Sequence, residues 1–596
     1  MTSPTTPGRE PKTVVEIRQP RCVNRYGSAP CTASGGPYCY NTYSTCQDLA
    51  NYDGSGSIAW RFVKDTAGNT AFGDFSDADN IKTNGIPALV SVSTAANKIN
   101  PGANRDGESP FGVTGKLTVN ARDIPWDDHV GDHYVTLRSV FTAGKAFPVR
   151  GSFWRLFNAR NDFLIGMTAT VFDGYEGQAL SAMRQRVYLV ENIDGPGSDG
   201  SVNLTAVDPL KKLNDDKTQY PPASNLELAA DVAAGATSLQ VFGAESDLTL
   251  SLGLDGLSHI RLGDEFITYS GYTDDGSNYY TLTGLTRGAL DTVAEDHTAG
   301  DAVQRVARFD RAAPWEILDE IMTNGTEIPA SYIPSTDWAT ECDLYIPSTR
   351  FSRIIFEPKA RRTLCGEICQ QAMLYVWWAE YDQEIKLLTI RPPSDPVGTL
   401  TDDNSILDGV TVKADHEQRL TRVVVYYGVT DPFASDDDPR WRKYTAIDTD
   451  TEGAGVSPVT KVIRAWWVQT RSVAAQVAVR LLVRYKATPR FMTITIDAKD
   501  REIGVGDLAD VFTRYFTDAE GNLDTKRWQV ISAKEMEAGH MYVLDMQTYT
   551  YVGRFAYYMG AGSPDYSAAT DEERLTGGWY ADATGLVDGD EGYKYQ

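Results

Sequence analysis

Short stretches in which apolar and polar residues alternate recur along the chain and predict β-strands. Residues 58–62 and 237–241 alternate in this way, whereas the valine-rich stretch 422–427 is typical of a buried strand. Glycine-containing turns such as 195–200 separate several of these stretches, which favours antiparallel pairing. The pattern therefore predicts a multidomain, mainly β chain with some helix, of the α+β class.

A few longer stretches carry apolar residues at helical spacing. They are 152–160, 313–322, 363–372 and 472–486. The last is predicted to be the longest helix, because its apolar residues recur every four positions along one face. This stripe consists of Val473, Val477, Leu481 and Tyr485.

Changes in composition divide the 596 residues into six predicted segments. They are an N-terminal cysteine-cluster domain (1–110), the first part of a β-barrel-like domain (111–222), an inserted small β module (223–306), a helix-containing domain (307–400), a second β-barrel-like domain (401–558) and an extended C-terminal arm (559–596). The run Tyr-Pro-Pro at 220–222 marks the start of the inserted module, and the arm is rich in glycine, tyrosine and acidic residues.

Composition and charge argue against a disordered chain, a membrane-spanning protein and a protein that wraps nucleic acid. Hydrophobic residues make up 42% of the chain, which is enough for packed cores. No apolar run approaches the roughly 18 residues that cross a membrane. The formal net charge is -25, so the general surface is not suited to wrapping nucleic acid. With only 6 histidines, the chain offers few groups for acid–base chemistry near pH 7.

Four of the seven cysteines, Cys22, Cys31, Cys39 and Cys46, lie close together near the N-terminus. The residues between them are mostly Gly, Pro, Ser and Tyr, which bury little apolar surface to offset the entropy lost on ordering. A link between the sulfurs is therefore predicted. Zinc or an iron–sulfur cluster would provide it, and the alternatives are two disulfides or four free thiols. No apolar signal segment points to an oxidising compartment, which favours a metal or cluster. The spacing matches neither a zinc ribbon nor a ferredoxin run.

Two other groups are candidates for chemistry. The first is a cluster of acidic and histidine side chains that is either a metal site or a polar turn, and the polar turn is favoured. It consists of Asp127, Asp128, His129, Asp132 and His133. The second is Cys365 and Cys369 on one helical face, either a redox pair or buried core residues, and the core is favoured. No catalytic motif is present, so no catalytic residue and no enzyme activity are predicted.

The cysteine block belongs to a wider set of recognisable segments. The set comprises 22–46, 90–94, 99–102, 122–126, 151–154 and 159–161 in the N-terminal half, and 328–333, 472–486 and 504–507 in the C-terminal half. Together they resemble the tail-tip, or baseplate, hub proteins of long-tailed non-contractile bacteriophages, the siphophage central hub family. The resemblance covers nearly all of the chain. Residues 226–306 resemble a small β module that is inserted into many tail proteins.

This resemblance implies a structural role at the tail tip of a virion. The family implies a homotrimeric hub, built from barrel domains, that closes the tail tube and opens for DNA ejection. The implied partners are the distal tail protein, the tape measure protein and tail fibre or central spike proteins. DNA would contact the hub only in transit, and the host cell envelope only transiently. Assembly would take place in the cytoplasm of the bacterial host.

The resemblance also bears on the four cysteines. Some tail-tip proteins carry a four-cysteine iron–sulfur cluster, which favours a cluster of the 4Fe–4S type at Cys22, Cys31, Cys39 and Cys46. Zinc or no metal remains the alternative, because these cysteines lie nearer the N-terminus than those of the best-known cluster proteins. The rival functional class is a tail-associated enzyme, either a cell-wall hydrolase or a cysteine-based redox protein.

Overall fold

A computed structural model describes residues 11–549 with internal gaps, of which the longest are 65–74, 77–81, 104–108 and 126–150 and the others span one to four residues. Beyond 549 it describes 557–558, 570, 577–578, 586–587 and 590–591. The described chain is mainly β, with helices placed between several sheets. This arrangement confirms the predicted α+β fold class.

Seven strands of the N-terminal part form a closed barrel. They are β1 (Pro11–Arg21), β2 (Gly56–Lys64), β5 (Ile86–Ala95), β6 (Lys116–Arg122), β7 (Thr168–Tyr175), β8 (Arg184–Asp194) and β9 (Ser201–Val207), and the short strands β3 (Phe75–Ser76) and β4 (Lys82–Thr83) precede β5. Around the barrel the order is β1-β2-β5-β6-β9-β8-β7. The antiparallel pairing of β1 with β7 closes the ring, which removes the free edges that an open sheet would expose.

One short helix, α1 (Phe153–Arg160), packs its aromatic side chains into the barrel core. Phe153, Trp154 and Phe157 are buried. The Trp154 ring stacks on Phe62 of β2 with centroids 5.0 Å apart. The helix predicted at 152–160 is therefore confirmed, and its aromatic side is the side that is buried.

The barrel takes strands from both sides of residue 110. Strands β1, β2 and β5 come from the segment predicted as a separate cysteine-cluster domain, whereas β6 to β9 come from the segment predicted as a barrel. The boundary predicted at 110 consequently falls inside one barrel. Composition marked the cysteine-rich stretch, but pairing between distant strands determines which segments share a core.

A nine-stranded sheet forms the next part of the chain. Its nine strands are β11 (Leu226–Leu228), β12 (Ser238–Phe242), β13 (Ser258–Leu262), β14 (Glu265–Tyr269), β15 (Gly271–Gly276), β16 (Tyr279–Thr283), β17 (Thr286–Ala289), β18 (Ala302–Ala312) and β19 (Phe351–Ile355). The short helix α2 (Ser246–Thr249) lies between β12 and β13 in the chain. The main order is β15-β16-β12-β11-β18-β13-β14-β17, and β19 pairs with the distal half of β18. We call 226–306 the β module; β18 continues from it into the body of the protein.

The middle of the chain contributes helices and a hairpin to a large shared core. Its elements are β10 (Gln219–Tyr220), α3 (Pro314–Thr323), α4 (Ser335–Tyr345), β20 (Lys359–Ala360), α5 (Arg361–Ala372), β21 (Leu374–Ala379) and β22 (Glu384–Thr389). Strand β10 pairs with β20, and β21 with β22. The predicted helices at 313–322 and 363–372 are confirmed.

Two sheets and one long helix complete the body. The elements are β23 (Thr399–Thr401), β24 (Ile406–Ala414), β25 (Arg422–Tyr427), β26 (Arg442–Ile447), α6 (Thr449–Gly453), β27 (Thr460–Arg464), α7 (Arg471–Tyr485), β28 (Arg490–Asp497), β29 (Leu508–Thr517), β30 (Leu523–Glu537) and β31 (Met541–Thr548). Six strands run in the order β23-β29-β30-β31-β28-β24, and α7 packs on the sheet β26-β25-β27. Within the described residues the end strands β23 and β24 do not pair, so this region is a sheet where a second barrel was predicted.

The chain after 549 is described only as short pairs of strands. They are β32 (Tyr557–Tyr558) with β33 (Gly577–Gly578), and β34 (Leu586–Val587) with β35 (Asp590–Glu591). Most of the predicted C-terminal arm, 559–596, lies outside the described residues. None of the helices in the described part of the chain has the length and apolar character needed to cross a bilayer.

Candidate functional site

The four clustered cysteines lie in the connection between β1 and β2, which we call the cysteine loop (22–55). Cys22 follows β1 directly, and the chain re-enters the barrel at Gly56, which pairs with Arg21. Residues 35–38 of this loop lie outside the described residues. Neighbouring antiparallel strands can be joined by two to about five residues. A much longer connection is typical of a segment with its own function.

Asn41 connects distant parts of the cysteine loop. Its carbonyl oxygen accepts a hydrogen bond from the Cys22 amide at 2.7 Å. Its side-chain amide donates to the carbonyl oxygens of Cys22 at 3.1 Å and Asn24 at 3.2 Å. The backbone φ of Asn41 is 58°, in the left-handed region that Asn tolerates better than most residues. The side chain is buried, so these bonds are sheltered from water.

The cysteine loop rests on the C-terminal end of α1. The Thr42 hydroxyl donates to the carbonyl oxygen of Arg160 at 2.6 Å. The Arg160 guanidinium lies 3.9 Å from the centre of the Tyr40 ring. One residue beyond the helix cap, the Asp162 amide donates to the Ser44 hydroxyl at 2.9 Å. The helix that fills the barrel core thereby also supports the cysteines.

Three of the four sulfurs accept backbone hydrogen bonds. The amide of Asn41 donates to Cys39 Sγ, that of Asp48 to Cys46 Sγ and that of Asp53 to Cys22 Sγ, each at 3.4 Å. The first two bonds join residues two apart, so a local turn presents each sulfur to an amide. Donors aimed at sulfur favour the negatively charged thiolate, which is the form that binds metal. The donor set therefore fits a thiolate-bound metal group.

The four thiols share one neighbourhood without surrounding a single point closely. Burial raises the pKa of the Cys46 thiol, and the nearby Cys22 and Cys31 sulfurs raise it further. Burial also raises the pKa of Tyr52, with Cys22, Cys46 and Cys39 contributing. In the described part of the chain, no group of three or more Cys, His, Asp or Glu side chains is arranged as a metal site. All seven cysteines are free thiols.

The remaining cysteines are core residues. Cys342, Cys365 and Cys369 are almost completely buried in the largest hydrophobic cluster. Burial raises the pKa of both Cys342 and Cys365 to about 12, so these groups stay protonated at neutral pH. The preference for core residues over a redox pair at Cys365 and Cys369 is thus supported by their complete burial. The Asp/His cluster at 127–133 lies outside the described residues.

An aromatic cavity that the sequence did not predict lies beside the cysteine loop. It has a volume of about 590 Å³ and is bordered by Tyr43 and Tyr52 of the loop and by Phe163 after α1. The Tyr43 ring meets the edges of the other two rings at centroid distances of 5.3 and 5.8 Å. The high tyrosine content of the loop was the available signal, but only the fold brings Phe163 beside it.

Comparison with known proteins gives only a loose structural likeness. No protein-family model matches the chain, and no curated protein sequence matches it. Among solved structures, it is similar to the 43 kDa tail protein of prophage MuSo2 from Shewanella oneidensis, with a TM-score of 0.35 and 9% identity over 77% of this chain and 97% of that one. It is also similar to a tail protein of Neisseria meningitidis MC58, with a TM-score of 0.31 and 10% identity over 65% of this chain and 88% of that one.

A third solved structure is the virion of a native gene transfer agent particle. Its matched chain gives a TM-score of 0.27 and 10% identity, covering 62% of this chain and 79% of that one. Because all of these overlaps are loose, a functional proposal has to rest on the residues of this chain.

Proposed function

We propose that this chain is a structural protein of a bacteriophage tail, and more narrowly the hub that closes the tail tube at its tip. In this role it would join the distal tail protein and the tape measure protein to fibres or a central spike, and open for DNA ejection. Its place would be the virion tail tip, after assembly in the cytoplasm of the host. The proposed role is structural and not enzymatic.

The observation that carries the proposal is where the recognisable segments lie in the fold. Residues 90–94 belong to β5, 122–125 begin at the last residue of β6, and 151–161 include α1. The cysteine block 22–46 is supported by that same helix through Thr42. Apart from 99–102, which pack on the central body, the N-terminal segments that resemble tail hub proteins thus lie in one unit. This unit is the closed barrel with α1 in its core and the cysteine loop. A unit of this kind is typical of a rigid building block.

We further propose that Cys22, Cys31, Cys39 and Cys46 hold one metal group, an iron–sulfur cluster of the 4Fe–4S type. Backbone amides already donate to three of the sulfurs, as in sites whose ligand charge is tuned by hydrogen bonds. When bound, the group would supply folding free energy to a loop with little core of its own. Its proposed purpose is to keep the β1–β2 connection rigid on the outside of the barrel.

The experiment that tests the hub is a count of copies in the native tail. A ring that closes a tube needs cyclic symmetry, and the hub assignment specifies three copies. Cryo-electron microscopy of purified tails should place three copies of this chain at the tip, with the tape measure protein inside. Six copies, one copy, or a position along the tube would contradict the hub. Absence of the chain from the particle would contradict any tail role.

A further inference from the structure

The outer face of the first barrel packs against the β21–β22 hairpin. The Trp378 indole of β21 donates to the carbonyl oxygen of Val187 in β8 at 3.1 Å, and Asn97 donates to the Trp378 carbonyl oxygen at 2.7 Å. Both bonds are buried. The hairpin belongs to the central body, so these contacts hold the barrel and the body together.

Two carboxyl groups meet at this contact, one from each side. Asp208, directly after β9, is 1% exposed and accepts hydrogen bonds from the amides of Gly115 at 2.6 Å and Lys211 at 3.2 Å. Glu380 follows β21. A Cβ placed on Gly115 would lie 2.9 Å from Glu380 Oε1 and 3.6 Å from Asp208 Oδ2. The two carboxyl groups therefore converge on one glycine, which leaves the space that both occupy.

Burial raises the pKa of Glu380 and outweighs the Arg186 charge and the Tyr188 hydroxyl, which lower it. Arg186 of β8 is the nearby cation, and it already pairs with Asp173 of β7. Tyr188 of β8 and Glu535 of β30 also face Glu380, and Glu535 pairs with Arg184 at 3.3 Å. Burial raises the pKa of Asp208 to about 7, and the charge of Glu380 adds to the effect. Burial raises the pKa of Glu380 as well.

We propose that Asp208 and Glu380 form a proton-operated latch between the first barrel and the β21–β22 hairpin, which is firm when the pair holds a proton and weak when both groups are ionised. Protons can reach the latch, because Glu380 lines a cavity of about 500 Å³ at the same contact. The opened state would expose both carboxyl groups to water and return them to ordinary acidity.

The direction of the pH effect follows from the raised pKa values. In the closed state Asp208 keeps its proton up to about pH 7, whereas an exposed Asp loses it near pH 4. The closed state therefore binds more protons between these values, and its advantage over the open state shrinks as the pH rises through this window. Above about pH 7 the advantage no longer changes.

Hydrogen exchange of the full-length chain at pH 5 and at pH 8 tests the latch. After correction for intrinsic exchange, the amides of β21 and β22 should lose at least tenfold in protection at the higher pH, since each unit of pKa shift corresponds to tenfold. Asp208→Asn keeps an oxygen for the Gly115 amide but cannot ionise, so its hairpin protection should depend much less on pH than that of the wild type, with Glu380 responsible for what remains. Glu380→Gln should also reduce the pH dependence. This variant replaces Asp208→Asn as the test if Asp208→Asn folds poorly.

Asp382→Asn is the matched control, because Asp382 lies in the same hairpin with an exposed side chain paired to Lys386. This variant should retain the full pH dependence of the wild type. Equal hairpin protection at pH 5 and pH 8 in the wild type would overturn the latch. So would an Asp208→Asn variant, folded by its protection in β6 and β9, that retains the wild-type pH dependence.

Discussion

At the scale of single residues, the buried carboxylate of Glu265 is stabilised by several hydrogen-bond donors. Glu265 in β14 is fully buried and accepts two hydrogen bonds from Arg287, at 2.7 Å each, and one from the Gly288 amide at 2.8 Å. His297 Nε2 lies 2.9 Å from the second carboxylate oxygen. Burial opposes ionisation, but these donors outweigh it and hold the pKa of Glu265 to about 2.

Replacing Glu265 with Gln should destabilise the β module by about 3–5 kcal/mol, because Arg287 would be left buried without its counter-charge. In the wild type, the contribution of Glu265 should be complete above about pH 4, the unfolded pKa, and be lost as the pH falls toward 2. Hydrogen exchange of the β module (226–306) would measure both effects. Glu357→Gln is the control, since Glu357 is an exposed partner of Arg261 and should cost less than about 1 kcal/mol. Equal losses in the two variants would contradict this account.

At the scale of elements, α1 links the barrel core to the cysteine loop. Its Trp154 is 1% exposed and stacks on Phe62, while the carbonyl oxygen of its last residue, Arg160, accepts the Thr42 bond. The position of the cysteine loop therefore depends on a helix that is itself fixed by packing in the barrel core.

Truncating Trp154 to Ala should cost about 3–5 kcal/mol, as large aromatic truncations in packed cores do. Because α1 supports the cysteine loop, amides in β1, β2 and the cysteine loop should lose protection together in hydrogen exchange. Arg155→Ala changes the next residue, whose side chain is 70% exposed, and should leave this protection nearly unchanged. Loss of protection in the barrel with an unaffected loop would show that the loop does not depend on the helix.

Elements with strong local patterns were predictable from the sequence, and contacts between distant elements were not. The helices α1, α3, α5 and α7 follow from periodicity, which depends only on near neighbours. Closure of the barrel depends on β1 pairing with β7, a long-range register that no local pattern encodes. The acidic loop 431–438 has the composition of a solvated hairpin tip, yet its Phe433 stacks on Phe266 of the β module with ring centroids 5.5 Å apart.

The candidate site was predictable to a similar degree. The sequence identified the four cysteines as one block, and the structure places them in one connection with amides directed at three sulfurs. That one group links the sulfurs stays a prediction. The sequence could not identify Asn41 or α1 as supports, because both act through contacts that exist only in the fold. The metal identity remains a proposal.

At the scale of the whole molecule, the barrel, the β module and the central body meet through defined side-chain contacts. The Arg261 guanidinium lies 4.6 Å from the ring centre of Phe356 and 5.3 Å from that of Phe433, which is one of the contacts between the β module and the body. The first barrel meets the body where Trp378 bonds to Val187. The cysteine loop lies on the barrel, and its order is proposed to depend on a bound metal group.

The metal content of the anaerobically purified full-length chain tests the central claim most directly. We predict bound iron and sulfide, with broad absorption near roughly 400 nm. Cys22→Ser should lose the iron, because a hydroxyl is a poor substitute for a thiolate ligand, whereas Cys342→Ala, which alters a buried core cysteine, should retain it. A colourless protein with one zinc would keep the four-thiol site and contradict the cluster. Metal-free wild-type protein with its loop cysteines paired as disulfides would contradict the site itself.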